Sequence, residues 1–196
     1  MFIGKNMQLI LASNSPRRKQ LLGEAGFDFQ VIVSGYEEKG AAITPKAMVE
    51  LYAKNKAQSV FDMLDENQKQ NSVVLGADTV VVFNKKILGK PQSSHDAYDM
   101  LWALSGKTHT VLTGVCIITP TKTIVKTVKS RVTFNHLNDN IINDYIKTGS
   151  PMDKAGAYGI QDDAPLVKRY RGSLNNIIGL PVEKITPLLK KVLQNS

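Results

Sequence analysis

Apolar positions recur along the chain with two different periods, and the alternation between them predicts an α/β fold. Residues 8–12 (QLILA) form a short apolar run of the kind that makes a buried strand. Ser15-Pro16 then opens a helix, because serine is a favoured N-cap and proline a favoured first helical residue. Leu21, Leu22 and Ala25 supply its buried face, and Gly26 ends it. Residues 29–33 predict a second strand. Thr44-Pro45 starts another helix by the same rule, with Met48, Leu51, Ala57, Val60, Phe61 and Leu64 at helical spacing. Residues 72–83 (SVVLGADTVVVF) are β-branched and apolar and predict a central strand. A helix capped by Ser93 or Ser94 carries Tyr98, Leu101, Trp102 and Leu104 and stops at Gly106. Residues 108–119 and 123–134, rich in Val, Ile and Thr and separated by Pro120, predict an antiparallel pair. Residues 138–148 predict a helix with Ile141, Ile142, Tyr145 and Ile146 on one side. A last helix starts near Pro181 and carries Val182, Ile185, Leu188, Leu189 and Val192. The expected architecture is a mixed sheet with helices packed on its faces.

Composition narrows the class. The chain has 196 residues, 42% of them apolar and 21% charged, enough for a sizeable core without disulfides. This length suits one domain, or one domain in two lobes. The single cysteine, Cys116, excludes a disulfide framework and a cysteine-based zinc site. Its neighbours Val115, Ile117 and Ile118 predict a buried thiol. No apolar run approaches the roughly 18 residues of a membrane span. Residues 1–11 lack a long apolar stretch followed by a small-residue cleavage site, so no signal peptide is expected and the expected address is the cytoplasm. The formal charge of +8 favours an anionic partner: nucleic acid, a membrane surface or a phosphorylated small molecule. The excess is scattered, with Lys122, Lys126, Lys129 and Arg131 in one stretch and Lys168, Arg169 and Arg171 in another.

Some residues do not fit a packing role. A helix N-terminus carries partial positive charge and unpaired N–H donors, so acids belong there. The helix opening at Ser13-Asn14-Ser15-Pro16 instead places Arg17 and Arg18 in its first turn. A bound anion removes the conflict; two solvated arginines are the alternative. Asp78 lies inside an apolar strand, where a carboxylate must be ion-paired, hydrogen-bonded or bound to metal. Thr79 follows it. Lys90, in the turn Leu88-Gly89-Lys90-Pro91, is placed to reach a phosphate or else is an exposed turn lysine. Glu37 and Glu38 are a surface acidic pair or metal ligands. In residues 153–161 (DKAGAYGIQ), small residues allow a close backbone approach, and Tyr158 and Gln161 are candidates to stack on or read a base.

Other chemistries are excluded. Gly106-Lys107-Thr108 matches the tail of a phosphate loop, but Leu101 stands where that loop needs glycine. There is no H-E-x-x-H or G-x-S-x-G, and His95, His109 and His136 sit in unrelated contexts. An anion site, a buried acid and lysines remain, a set suited to metal-assisted attack of water on a phosphoanhydride.

In order, these segments resemble the Maf family of nucleoside triphosphate pyrophosphatases. The resemblance starts at Leu11-Ala12-Ser13-Asn14-Ser15-Pro16-Arg17-Arg18 and continues through Glu37-Glu38, Lys56-Ala57, Gly76-Ala77-Asp78-Thr79 and Gly89-Lys90-Pro91. It then takes in Leu104-Ser105-Gly106-Lys107-Thr108-His109, residues 153–161 and Gly179-Leu180-Pro181. The Ala157-Tyr158-Gly159-Ile160-Gln161 run resembles the subgroup acting on dTTP and UTP. The resemblance implies one Maf-like domain over residues 1–196, with two lobes around a cleft, a fold like that of inosine triphosphate pyrophosphatase, and often a homodimer. It implies hydrolysis of the α–β phosphoanhydride to a nucleoside monophosphate and pyrophosphate, with a divalent cation, Mg²⁺ or Mn²⁺. Ser13, Arg17, Arg18, Lys56 and Lys90 match phosphate-side positions, Lys90 with a catalytic part. Asp78 matches the general base and a metal position, and Glu38 an acidic metal or catalytic position. Arg17, Thr79 and Gln161 match positions that set specificity. The chain departs from the family's pattern at Ser150, at Asp162-Asp163-Ala164 and at Leu174. A nucleic-acid-binding or septum-regulating protein is the rival class, for which a buried acid and a phosphate cradle are unnecessary. An enzyme removing modified nucleotides would differ only in its base pocket.

Overall fold

Strand β1 (Gln8–Leu11) is apolar because it lies between two parallel neighbours, one pairing along its whole length and the other with its last two residues. The computed structural model describes residues 7–37 and 44–194. Among them are β1, α1 (Pro16–Glu24), β2 (Gln30–Val31), α2 (Pro45–Met63), α3 (Glu66–Gln70), β3 (Ser72–Phe83), β4 (Lys86–Leu88) and α4 (Ser94–Leu104). There follow β5 (Thr108–Ile118), β6 (Thr123–Phe134), α5 (Asp139–Lys147), 3-10 turns at Ser150–Asp153 and Ala155–Ala157, β7 (Val167–Arg171), α6 (Leu174–Ile178) and α7 (Val182–Gln194). The described strands form a seven-stranded mixed sheet in the order β2-β1-β3-β5-β6-β7, with β4 also on β3. The α/β class expected from the periodicities is therefore the class observed.

The chain divides into two compact units. The first comprises the described residues of Met1–Asp78, Thr113–Val128 and Gly179–Ser196. Its core gathers Ile10, Ala12, Ala53, Ala57, Val60, Val74, Cys116 and Ile118. Helix α2 presses unusually close to the strands. A Cβ on Gly76 would overlap the Ala53 carbonyl oxygen and come within 2.8 Å of Ala57 N, and a Cβ on Gly114 would overlap the Val49 carbonyl. The buried face of α2 is consequently Val49, Tyr52, Ala53, Ala57 and Val60, while Leu51 points outward. The bulkiest apolar spacing does not mark this face, because the seam selects small residues that let two backbones meet. Strand β2 is also shorter than residues 29–33 suggest: both its residues are exposed, and pairing with β1 is confined to Ile10↔Gln30 and Leu11↔Val31.

The second unit comprises Thr79–Leu112 and Lys129–Ile178. Its core includes Val81, Ala97, Leu101, Leu104, Val111, Phe134, Ile142, Tyr145, Tyr158 and Leu166. β3 turns back into β4 through Asn84 and Lys85, both at positive φ (48° and 64°), the backbone of a primed hairpin turn. Trp102 is half exposed and stacks on Tyr98 one turn earlier in α4. No helix among the described residues is long and apolar enough to cross a membrane.

Candidate active site

The first turn of α1 contains no acidic residue. Ser15 caps it, its Oγ accepting the Arg18 N–H at 3.5 Å. Buried Ser13 extends the cap, accepting from Ser15 N–H at 3.2 Å and from Arg18 Nη1 at 3.3 Å. Arg18 Nε donates to the Gly179 carbonyl at 2.9 Å. Arg18 therefore fastens the helix start to the segment before α7 as well as adding positive charge. Arg17 is half-buried beside it. Serine hydroxyl, guanidinium groups and helix terminus together make a surface for an anion.

The same unit holds the buried acid. Lys56 Nζ donates to Asp78 Oδ1 at 2.7 Å, with side chains 15% and 8% exposed. The Gly76 seam explains how a helix residue reaches a strand carboxylate: Lys56 adjoins Ala57, and Asp78 lies just beyond Gly76. The site's place in the sheet is equally local. Leu11 and Leu75 are register partners in parallel strands, and Ala12 N–H donates to Leu75 O at 2.8 Å. Ser13 and Asp78 thus follow from the carboxyl side of the same parallel pairing, where open α/β sheets bind ligands.

Asp78 is a hard oxygen donor, and no group of three or more His, Cys, Asp or Glu gathers among the described residues. Mg²⁺ commonly takes only one or two protein carboxylates and completes its shell with substrate phosphates and water. The donor chemistry of Asp78 fits that pattern. Glu38, the other expected ligand, lies outside the described residues; Glu37 is exposed.

Thr79, Lys90 and Gln161 belong to the second unit. Thr79 is half-buried, and Lys90 and Gln161 are exposed. The turn carrying Lys90 and the segment leading to Gln161 are joined, because Gly156 N–H donates to Gly89 O at 2.9 Å. Gly156 has φ 70° and lies against Val81, which a Cβ would approach to 2.9 Å. This is the close backbone approach that the small residues suggested, made to a core valine. Tyr158 is a correction: it is buried, shares a 2.7 Å hydrogen bond with His109 Nε2, and packs edge-on against Phe134. It is a core residue, while Gln161 of the same segment is exposed.

Three further residues, Gly76, Gly179 and Asp162, have structural roles that the sequence does not assign. Gly76 interrupts a run of β-branched residues, a mark of close backbone approach. The Gly179 carbonyl has no side-chain signature. Asp162 stands out only by contacts made across the sequence, to Tyr145 and Ser150.

The model of the family described as Maf-like protein matches residues 8–192. A dTTP/UTP pyrophosphatase of Geobacillus sp. (strain WCH70) is 46% identical over 187 residues, covering 94% of this chain and 98% of that protein. One from Bdellovibrio bacteriovorus is 43% identical over 189 residues, covering 93% and 97%. One from Aquifex aeolicus is 40% identical over 187 residues, covering 95% and 96%. Among solved structures, the Staphylococcus aureus Ham1 protein aligns with a TM-score of 0.41 at 16% identity, over 65% of this chain and 71% of that one, a likeness too slight to carry an argument.

Proposed function

The chain belongs to the Maf family, and on that premise we propose that it is a dTTP/UTP pyrophosphatase built as one Maf-like domain. The substrate is a nucleoside triphosphate, and the products are the monophosphate and pyrophosphate. The observation that carries the reading is the Lys56–Asp78 pair on the same side of the parallel strands as the Ser13–Arg18 anion surface. It puts an acid able to take a proton beside cations able to hold phosphates.

In this mechanism Ser13, Arg17, Arg18 and Lys56 bind the polyphosphate. Asp78 accepts the proton of the attacking water as its oxygen bonds to the α-phosphorus. The bond from that phosphorus to the bridging oxygen breaks, and pyrophosphate leaves with its charge balanced by Lys90. Thr79 and Gln161 orient the nucleoside. Asp78 and Glu38 would hold Mg²⁺ or Mn²⁺, which when bound offsets phosphate charge and favours attack.

The test is incubation with dTTP, UTP, CTP, ATP and GTP in the presence of Mg²⁺ or Mn²⁺, with product identification. Monophosphate and pyrophosphate from dTTP and UTP are expected. Nucleoside diphosphate and orthophosphate as first products would reject the reaction.

A further inference from the structure

Gln161 sits exposed at the tip of a short turn whose two ends are tied together below it. The Asp162 N–H closes the turn onto the Gly159 carbonyl at 3.2 Å, and Ala164 N–H donates to Asp162 O at 2.8 Å. The Asp162 side chain folds back over Gly159, where a Cβ would come within 2.6 Å of Oδ1, so a larger residue there would have to push the carboxylate aside.

One carboxylate oxygen gathers the supports. Tyr145, buried on α5, accepts the Gly159 N–H at 2.9 Å and donates its own O–H to Asp162 Oδ2. Ser150 Oγ donates to the same oxygen at 2.6 Å. Lys154 Nζ, 3.7 Å from that oxygen, donates to Ser150 Oγ at 2.9 Å and to Ser150 O at 2.7 Å. The chain of bonds therefore runs from Gly159 through Tyr145, Asp162 and Ser150 to Lys154, bracketing Gln161 on both sides. Burial, together with the Asp162 bond, holds the Tyr145 phenol well above its ordinary range, so it remains a donor. An exposed glutamine on an untethered turn would lose much of its selectivity to conformational freedom.

Resting on the base-reading role given to Gln161 above, we propose that Asp162 is a positioning residue for base selectivity. It acts through the 159–162 turn and Gln161 and touches no substrate itself.

The test compares kcat/KM for dTTP, UTP and CTP in the wild type, Asp162→Ala, Tyr145→Phe, Gln161→Ala and Asp162→Ala/Gln161→Ala. Tyr145→Phe keeps the ring in the core and removes only the hydroxyl bridge, which covers the case in which Asp162→Ala folds poorly. Asp162→Ala and Tyr145→Phe should each reduce the dTTP-over-CTP preference by about 10- to 100-fold, the scale expected when a contacting group is displaced by about 1 Å. The loss should appear mainly in KM for dTTP, and the double variant should lose little beyond Gln161→Ala. Asp162→Glu should recover part of the preference. A wild-type preference that survives both Asp162→Ala and Tyr145→Phe, with only the melting temperature lowered, would overturn the inference and leave the base reading in place. No preference in the wild type would overturn both.

Discussion

Lys56 Nζ lies 2.7 Å from Asp78 Oδ1, and both side chains are largely withdrawn from water. A pair of this kind contributes little net stability, because desolvation offsets most of the attraction. Breaking it is costly. Its placement therefore serves a carboxylate of fixed position better than it serves the fold.

Asp78→Asn should lower turnover by about 10²–10⁴-fold, the usual scale for loss of a general base. It should also destabilise the fold, since the buried Lys56–Asp78 ion pair is broken. Adding Lys56→Met to that variant should restore stability without restoring activity. Urea unfolding and turnover measured on the single and double variants check both statements. Near wild-type turnover in Asp78→Asn would make the pair purely structural.

Gly76→Ala should be harmful out of proportion to one methyl group. The added carbon collides with the Ala53 carbonyl and Ala57 N, backbone atoms that cannot swing aside. A cost of about 1–3 kcal/mol is expected from overpacking. Because α2 must move away from β3, Lys56 is displaced from Asp78 and kcat should fall as well. Gly23→Ala, inside α1 where a Cβ meets nothing within 4 Å, should leave kcat unchanged and raise stability by about 0.5–1 kcal/mol.

Arg17 and Arg18 should separate in their effects. Arg18→Ala removes the bonds to Gly179 O and Ser13 Oγ, so it should lower the melting temperature and weaken triphosphate binding together. Arg17→Ala should raise KM, because its guanidinium is proposed to hold the polyphosphate at the helix N-terminus. Thermal melts with and without a non-hydrolysable nucleotide analogue distinguish the two. A melting temperature for Arg18→Ala equal to that of the wild type would remove the anchoring role of Arg18.

Burial lowers the His109 imidazole from 6.5 to about 4. Between those pH values the unfolded chain binds a proton that the folded chain does not, so unfolding becomes easier as protons are added. The contribution is fully present above about pH 6.5 and is lost as pH falls towards 4, amounting to up to about 3 kcal/mol. The melting temperature of the wild type should fall across this window. His109→Gln, which keeps a polar partner for Tyr158, should fall less steeply. Parallel curves would show that other groups control the acid response.

Much of this was legible from residue order. Pro16 after Ser15 and Pro45 after Thr44 mark helix starts whose capping bonds are present. The asparagine before α5 caps it in the same way. Asp65 and Gln68 form a capping box that also announces α3, although so short a helix has no apolar periodicity to draw attention. Strand β7 was hidden for a different reason. Its Lys168, Arg169, Tyr170 and Arg171 are exposed, and their order comes from the ladder to β6 rather than from burial. Arg17, Arg18 and Asp78 were conspicuous as charge in the wrong place, whereas Lys56 was marked only by the family resemblance. Tyr158 was misread because an aromatic residue between glycines looks available, whereas His109 and Phe134, far away in sequence, enclose it.

The sealed thiol of Cys116 offers a clock. It is fully buried in the first unit's core, and burial pushes it up to about 11, so it is both inaccessible and protonated at neutral pH. An alkylating reagent can reach it only when that core opens. As this is the chain's sole cysteine, the rate of labelling times one event at one place, without an engineered probe. At high reagent concentration the rate becomes that of opening itself, and at low concentration it follows the fraction of molecules open. Repeating the labelling with bound nucleotide would then tell whether occupancy of the site is felt as a slower breathing of the first unit.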